Sequence, residues 1–220
     1  KMADDLLSGI SWLGHASFQI LDKNIVVYID PFEISEGLAG ADLILVTHEH
    51  FDHLSIEDMR KVMKNGTTII APEDCADKFN DFLEKYEDVD LQLMAVGDAI
   101  DVEGVNVEAV SAYNTNKDFH TQNKNWVGYV ITIGGRRIYH AGDTDLIPEM
   151  GKLGEVDVAL LPVSGKYVMT AEEAAEAVEI IDPKVVVPMH YDSIVGTKND
   201  ALRFEKLCSG RRVALLERKS

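Results

Sequence analysis

Apolar positions in this chain fall into short runs, and their spacing changes from one part to the next. The runs ISWLG, SFQIL, NIVVYID and ADLILVTH come first and are rich in β-branched and aromatic residues, which predicts strands. A helix is predicted over 54–65, with Ser55 and Asp58 spaced as a capping box and Gly66 as its stop. TTIIA reads as a strand, 74–86 as a helix, and 91–95, 99–102 and 105–110 as further strands. WVGYVITI and RRIYH form a predicted hairpin, because Gly134-Gly135 between them suits the positive φ angles of a tight turn. Types then alternate: VDVALLP, a helix over 171–181 capped by Thr170 with Glu173, KVVVPMH, a helix near 198–208, and RRVALLE. Strands early and βα alternation late predict two sheets flanked by helices, a layered α/β sandwich.

Composition narrows this picture without changing it. A chain of 220 residues, 46% hydrophobic and 27% charged, can bury one substantial core, and no repeat or linker divides it. One domain over 1–220 is expected. No apolar run reaches 18 residues, and KMADDLLSGI carries two aspartates where a signal peptide needs a basic start, so a cytoplasmic protein is expected. Cys75 and Cys208 stand apart from each other and from the histidines, which predicts buried apolar fillers. The formal charge of −17 repels a phosphate backbone, and the basic pairs at 136–137 and 211–212 are too short to offset it. Nucleic acid and anionic membrane are therefore not expected as partners. Divalent cations are.

The chemistry concentrates in residues 47–53, THEHFDH, which hold three of the seven histidines. ADLILV before them reads as a strand buried on both faces, so the histidines sit at its carboxyl end, where ligands gather in such sheets. In extended chain His48, His50 and Asp52 project to one side, while His53 follows the turn elsewhere. Two ions fit this better than one: His48 and His50 on the first, Asp52 and His53 on the second, about 3.5–4 Å apart. Imidazole and carboxylate without thiolate suit Zn²⁺, and also Mn²⁺ or Fe²⁺, at one or two ions per chain. Two other strand ends add donors. HAGDTD supplies Asp143, a candidate bridging carboxylate, with Gly142 permitting close backbone approach, and VVVPMHYD supplies His190.

THEHFDH, HAGDTD and PMHY, in this order and spacing, resemble the metallo-β-lactamase superfamily. GHASFQI and the DPF of 30–32 further resemble its branch of uncharacterised metal-dependent hydrolases, which has lactonase-like and phospholipase D-like relatives. The likeness runs from about residue 9 to 192. It implies a four-layer αββα sandwich with two metal sites at one edge: His48 and His50 in the first, Asp52, His53 and His190 in the second, Asp143 between them. One position departs. Tyr113 stands where that family commonly has a third histidine of the first site. Three readings follow: His120, seven residues on, replaces it; the enzyme is mononuclear and uses the second site; or Tyr113 is itself a phenolate ligand or substrate contact.

The resemblance also brings His15 of GHAS toward the site, as a catalytic or substrate-contacting group. Asp30, ending the third strand, is read as the carboxylate that orients a ligating imidazole through its free ring N–H. His140 is expected in the core, and Tyr167 and Met169 either line the pocket or pack in the core. A metal lowers the pKa of its bound water toward 7 and stabilises an oxyanion, with Asp52 orienting the nucleophile. No GxSxG, Walker loop or GxGxxG is present. The expected activity is hydrolysis of a small ester, lactone or phosphodiester. A nuclease of the tRNA-processing type uses the same metal site but conflicts with the acidic charge, and a non-enzymatic metal-binding protein is the third reading.

Overall fold

Among residues 6–219, the part of the chain that the computed structural model describes, the short apolar runs become twelve strands in two six-stranded sheets. The first sheet holds β1 (Ile10–Gly14), β2 (Ser17–Asp22), β3 (Ile25–Ile29), β4 (Leu43–Leu45), β5 (Thr68–Ala71) and β6 (Asp90–Leu93), side by side in chain order. It is antiparallel from β1 to β3 and parallel from β3 to β6. The second holds β7 (Ala99–Val102), β8 (Val105–Ser111), β9 (Val127–Ile133), β10 (Arg136–His140), β11 (Val158–Pro162) and β12 (Val185–Met189), antiparallel up to β10 and parallel beyond. Gly134 and Gly135 have φ of 58° and 77°, as the two-residue turn between β9 and β10 requires.

Period two sorts the first sheet's side chains. Val27, Ile29, Leu43, Leu45 and Ile70 face the second sheet, while Tyr28, Ile44, Ile69 and Ala71 face outward. On that outer face pack Met59 and Val62 of α1 (Ile56–Val62) and Phe82 of the single turn α2 (Asn80–Leu83). On the other side, α3 (Ala171–Ile181) packs against β11 and α4 (Lys198–Leu207) against β12, so both strands are buried on both faces. Helix, sheet, sheet and helix make the expected four-layer sandwich. No helix among the described residues is long and apolar enough to cross a membrane.

Three sequence expectations need correction. The 74–86 helix is instead a 3-10 segment, Glu73–Lys78, joined through Phe79 (φ −95°, ψ −15°) to the single turn α2. RRVALLE forms only one bridge, Val213 to Val186, and then runs extended to donate Lys219 N–H to the Trp12 carbonyl at 2.8 Å. The tail thus ties the edge of one sheet to the edge of the other. In α1 the Ser55 hydroxyl accepts from Asp58 N–H at 3.2 Å, but the helix stops at Val62 and Asp58 does not close a capping box. Its carboxylate accepts from Glu33 N–H (2.9 Å), Ile34 N–H (3.1 Å), the Ser55 hydroxyl (2.7 Å) and Lys61 Nζ (2.7 Å). Burial pushes its pKa up, and Lys61 and these donors more than reverse that. Asp58→Ala should therefore lower unfolding free energy by about 2–4 kcal/mol, since two backbone donors lose their acceptor. Denaturant unfolding measures it, and a loss below about 0.5 kcal/mol would contradict the role given to this carboxylate.

Candidate metal centre

Every candidate side chain follows the carboxyl end of a strand. His15 follows β1, Asp30 follows β3, His48 to His53 follow β4, His120 lies between β8 and β9, Asp143 follows β10, and His190 follows β12. The two sheets meet so that these ends converge at one edge. Three of these residues carry backbone strain: His15, Asp30 and His190 have φ of 50°, 45° and 62°, a left-handed region that costs a non-glycine residue about 1 kcal/mol or more. Gly142 (φ 64°) precedes Asp143, and a Cβ there would lie 2.7 Å from the Val127 carbonyl oxygen. The close approach expected of this glycine is present.

Asp143 is the hub. Its Oδ2 lies 3.1 Å from His190 Nε2, 3.1 Å from His120 Nε2 and 3.9 Å from His48 Nε2, and its Oδ1 lies 3.3 Å from His53 Nε2. His48 Nε2 and His50 Nδ1 are 3.1 Å apart. Across the hub, Asp52 Oδ2 lies 2.9 Å from His15 Nε2 and 3.6 Å from His53 Nε2. Two groups that could each hold a metal ion emerge, with donor atoms within 4.8 Å of one another: His48, His50 and His120; and His15, Asp52, His53 and His190. His48, His53 and Asp143 satisfy the same criterion and join the sets.

The far side of four of the rings is tied down. His53 Nδ1 faces Asp30 Oδ2 at 2.6 Å, and the same carboxylate accepts Thr47 N–H (2.8 Å) and the Thr47 hydroxyl (2.6 Å). His48 Nδ1 meets the Thr47 hydroxyl at 2.9 Å, and His190 Nδ1 meets Ser164 Oγ at 3.1 Å. His120 Nδ1 and backbone N–H both reach Asn114 Oδ1, at 3.1 and 3.0 Å. Each of these partners leaves the other ring nitrogen aimed inward, the arrangement that orients metal-ligating imidazoles. The loop bearing His120 is bent by Asp145, which accepts from Thr115 N–H at 2.8 Å and pairs with Lys117.

Four buried side-chain atoms of the site lack hydrogen-bond partners. His53 Nε2, His120 Nε2, His15 Nδ1 and Asp143 Oδ1 are buried without a hydrogen bond, although His53 Nε2 and Asp143 Oδ1 are only 3.3 Å apart. Buried polar groups left unmade cost about 1–3 kcal/mol each, so orphans facing one another need a common partner. Nitrogen and carboxylate donors around one point fit a divalent cation.

Charge follows the same plan. Burial pushes the pKa values of His48, His50 and His15 below the usual histidine range. Burial opposes charge on His53 as well, but Asp143 and Asp30 on either side hold its pKa well above that range. For Asp52 burial acts upward, and the His15 hydrogen bond with the His53 charge overcomes it, leaving a carboxyl at about 2.

Other expectations find their places. The Tyr113 hydroxyl, read from sequence as a phenolate ligand or substrate contact, donates to Glu149 at 3.0 and 3.2 Å. His120 occupies the position beside His48 and His50 instead. His140 is a core residue, with Nε2 donating to the Ala16 carbonyl (2.8 Å) and Nδ1 accepting from Gly142 N–H (3.2 Å). Tyr167 lines the cavity, whereas Met169, Cys75 and Cys208 are buried in the core. The sequence reading missed Asn114, Thr47 and Ser164, and also Trp126, whose ring lies 4.8 Å from both His48 and His50, tilted against the first and edge-on to the second. A cavity of about 250 Å³ opens over the hub, lined in part by Phe51, Phe119 and Ile194.

This geometry has relatives. The sequence model of the β-lactamase superfamily domain matches residues 9–190. The UPF0173 metal-dependent hydrolase of Pyrococcus abyssi is 36% identical over 211 residues, spanning 90% of this chain and 91% of the relative. A crystal structure described as a candidate metal-dependent hydrolase from Parabacteroides distasonis superposes with a TM-score of 0.81 at 33% identity, covering 96% of this chain and 93% of the other. Igni18, a metallo hydrolase of Ignicoccus hospitalis, gives a TM-score of 0.76 at 26% identity, covering 96% and 95%. With the match spanning both ligand sets and the hub between them, the chain belongs to the metallo-β-lactamase superfamily, within its UPF0173 family of metal-dependent hydrolases.

Proposed function

We propose that this chain hydrolyses a small-molecule ester, lactone or phosphodiester at a centre of two divalent cations, of which Zn²⁺ suits the donors best and Mn²⁺ or Fe²⁺ also fit. The observation that carries the reading is the set of orphaned, inward-facing donors around Asp143, at the floor of a cavity open to solvent. His48, His50 and His120 would hold one ion, Asp52, His53 and His190 the other, and Asp143 would touch both. Ions there supply water of lowered pKa and positive charge for a developing oxyanion.

The protein's part is placement. Asp52 lines the cavity with one carboxylate oxygen anchored on His15, so it is held to orient the attacking water by its remaining lone pairs. His15 thus acts through Asp52, and its ring lies tilted against that of His190, 4.1 Å away. Asp30, Thr47, Ser164 and Asn114 hold the imidazoles so that little reorganisation accompanies reaction. The formal charge of −17 supports small molecules rather than nucleic acid as substrates.

Dialysis against a chelator should remove turnover of a panel containing an ester, a lactone and a phosphodiester, and added zinc or manganese should restore it. Turnover indifferent to the chelator would contradict the reading.

A further inference from the structure

We propose that the substrate is a neutral carboxylic ester or lactone bearing a compact apolar group, received by an aromatic and aliphatic wall beside the ions. The inference rests on the hydrolase reading above and narrows its substrate. Above Asp52 and Asp143 the cavity is walled by Phe51, Phe119, Tyr167 and Ile194. These come from three separate connections, after β4, between β8 and β9, and beyond β12, apart from Tyr167, which precedes α3. Phe51, Phe119 and Ile194 are 67%, 51% and 41% exposed. Single exposed apolar side chains are ordinary, but three converging on one cavity leave costly surface in water that a ligand would cover. The wall is ordered by packing: Phe119 meets Tyr167 edge-on at 4.6 Å between centroids, and Phe51 meets Phe32 at 5.9 Å.

Charge argues for a neutral substituent. No lysine or arginine lines this cavity among the described residues. Lys117 is committed to Asp145, Lys78 and Lys124 pair with Glu49, and Lys166 lies 4.9 Å above the Tyr167 ring. Away from the ions, an anionic group lying along the wall would meet only Lys166, an exposed cation held over the Tyr167 ring, and would be desolvated against the other side chains at a cost. The volume, about 250 Å³, is below the roughly 300–1,000 Å³ that encloses drug-sized ligands, so the group is compact. In the reaction the oxygen of water bonds to the acyl carbon and the acyl C–O bond breaks. One water proton goes to the leaving oxygen, giving an alcohol or the hydroxyl end of an opened lactone, and the carboxylic acid formed ionises by releasing the other.

The test uses the full chain loaded with zinc or manganese. Hydrolysis of p-nitrophenyl acetate, butyrate and hexanoate is compared with that of bis(p-nitrophenyl) phosphate, and calorimetry measures binding of the matching alkyl hydroxamates, which needs no turnover. Both kcat/KM and hydroxamate affinity should rise about threefold per added methylene until the cavity is filled. The phosphodiester should react at least about 100-fold more slowly than the best ester. Phe119→Ala and Ile194→Ser should each flatten the chain-length dependence in both series. A flat series in wild type, or a preference for the phosphodiester, overturns the inference and leaves the hydrolase reading standing. Absence of turnover on every substrate contradicts the hydrolase reading itself, and the inference with it.

Discussion

Asp143→Ala is expected to lower metal content from two ions to one or none and to reduce turnover by at least about 10³-fold, because several kcal/mol of transition-state stabilisation depend on the ions. Among the described residues no other carboxylate approaches so many imidazoles: His190 and His120 at 3.1 Å, His53 at 3.3 Å and His48 at 3.9 Å. Alanine removes both oxygens from between the ligand sets, and no neighbouring carboxylate can enter. Asp52 is committed to His15 at 2.9 Å, and Asp30 sits behind His53. Elemental analysis and steady-state kinetics on the same preparation measure the two effects. Retention of two tightly held ions would show that Asp143 is not shared between the sites.

Asp30→Ala should produce a large effect of another kind. Asp30 is fully buried, and its two oxygens accept from Thr47 N–H, the Thr47 hydroxyl and His53 Nδ1. Removing one partner of such a buried charged network costs about 3–5 kcal/mol, because the donors stay behind without acceptors. Thr47 also supports His48, so the damage extends to both ligand sets. Metal affinity should fall about 10–100-fold, the usual cost of losing the group behind a ligating imidazole. Asp30→Asn, which keeps the size and one acceptor, should lie between wild type and alanine in both properties. Denaturant unfolding and a metal titration against a competing chelator measure them. Unchanged unfolding in Asp30→Ala would contradict the account of this carboxylate.

What the sequence made legible was whatever short-range spacing controls. The THEHFDH string, its position after ADLILV and the strand ends carrying Asp143 and His190 all follow from local pattern, and so does the Thr170 and Glu173 capping box of α3. His140 could be set aside because it lies inside the RRIYH run, and its two ring bonds to backbone agree. Less legible were features that depend on distant chain. Apolar residues at 75, 79, 82 and 86 read as one helix, but the segment tightens into 3-10 geometry over Glu73–Lys78 before a single α turn. RRVALLE alternates like a strand, yet whether an extended segment joins a ladder depends on the free edge it meets, and this one leaves β12 after one bridge.

The site divides in the same way. Tyr113 and His120 could not be ranked from sequence, because their places depend on the fold of the 112–126 connection. That fold is set by Asp145, about 30 positions away, gathering Thr115, Asn116 and Lys117, and by Asn114 capturing His120. Asn114, Thr47 and Ser164 carry no signature of their own. Each is an ordinary polar residue until a ring nitrogen is brought beside it. Phe51 lies inside THEHFDH and Phe119 directly before His120, and both escaped notice because exposure, not identity, makes them informative.

The central claim is a two-ion centre in which His120 completes the first ligand set. Elemental analysis of the purified chain, wild type beside His120→Ala, tests it most directly. The account predicts two divalent ions per chain in the wild type and about one in the variant, with the second set still filled by Asp52, His53 and His190. One ion in both proteins would contradict it.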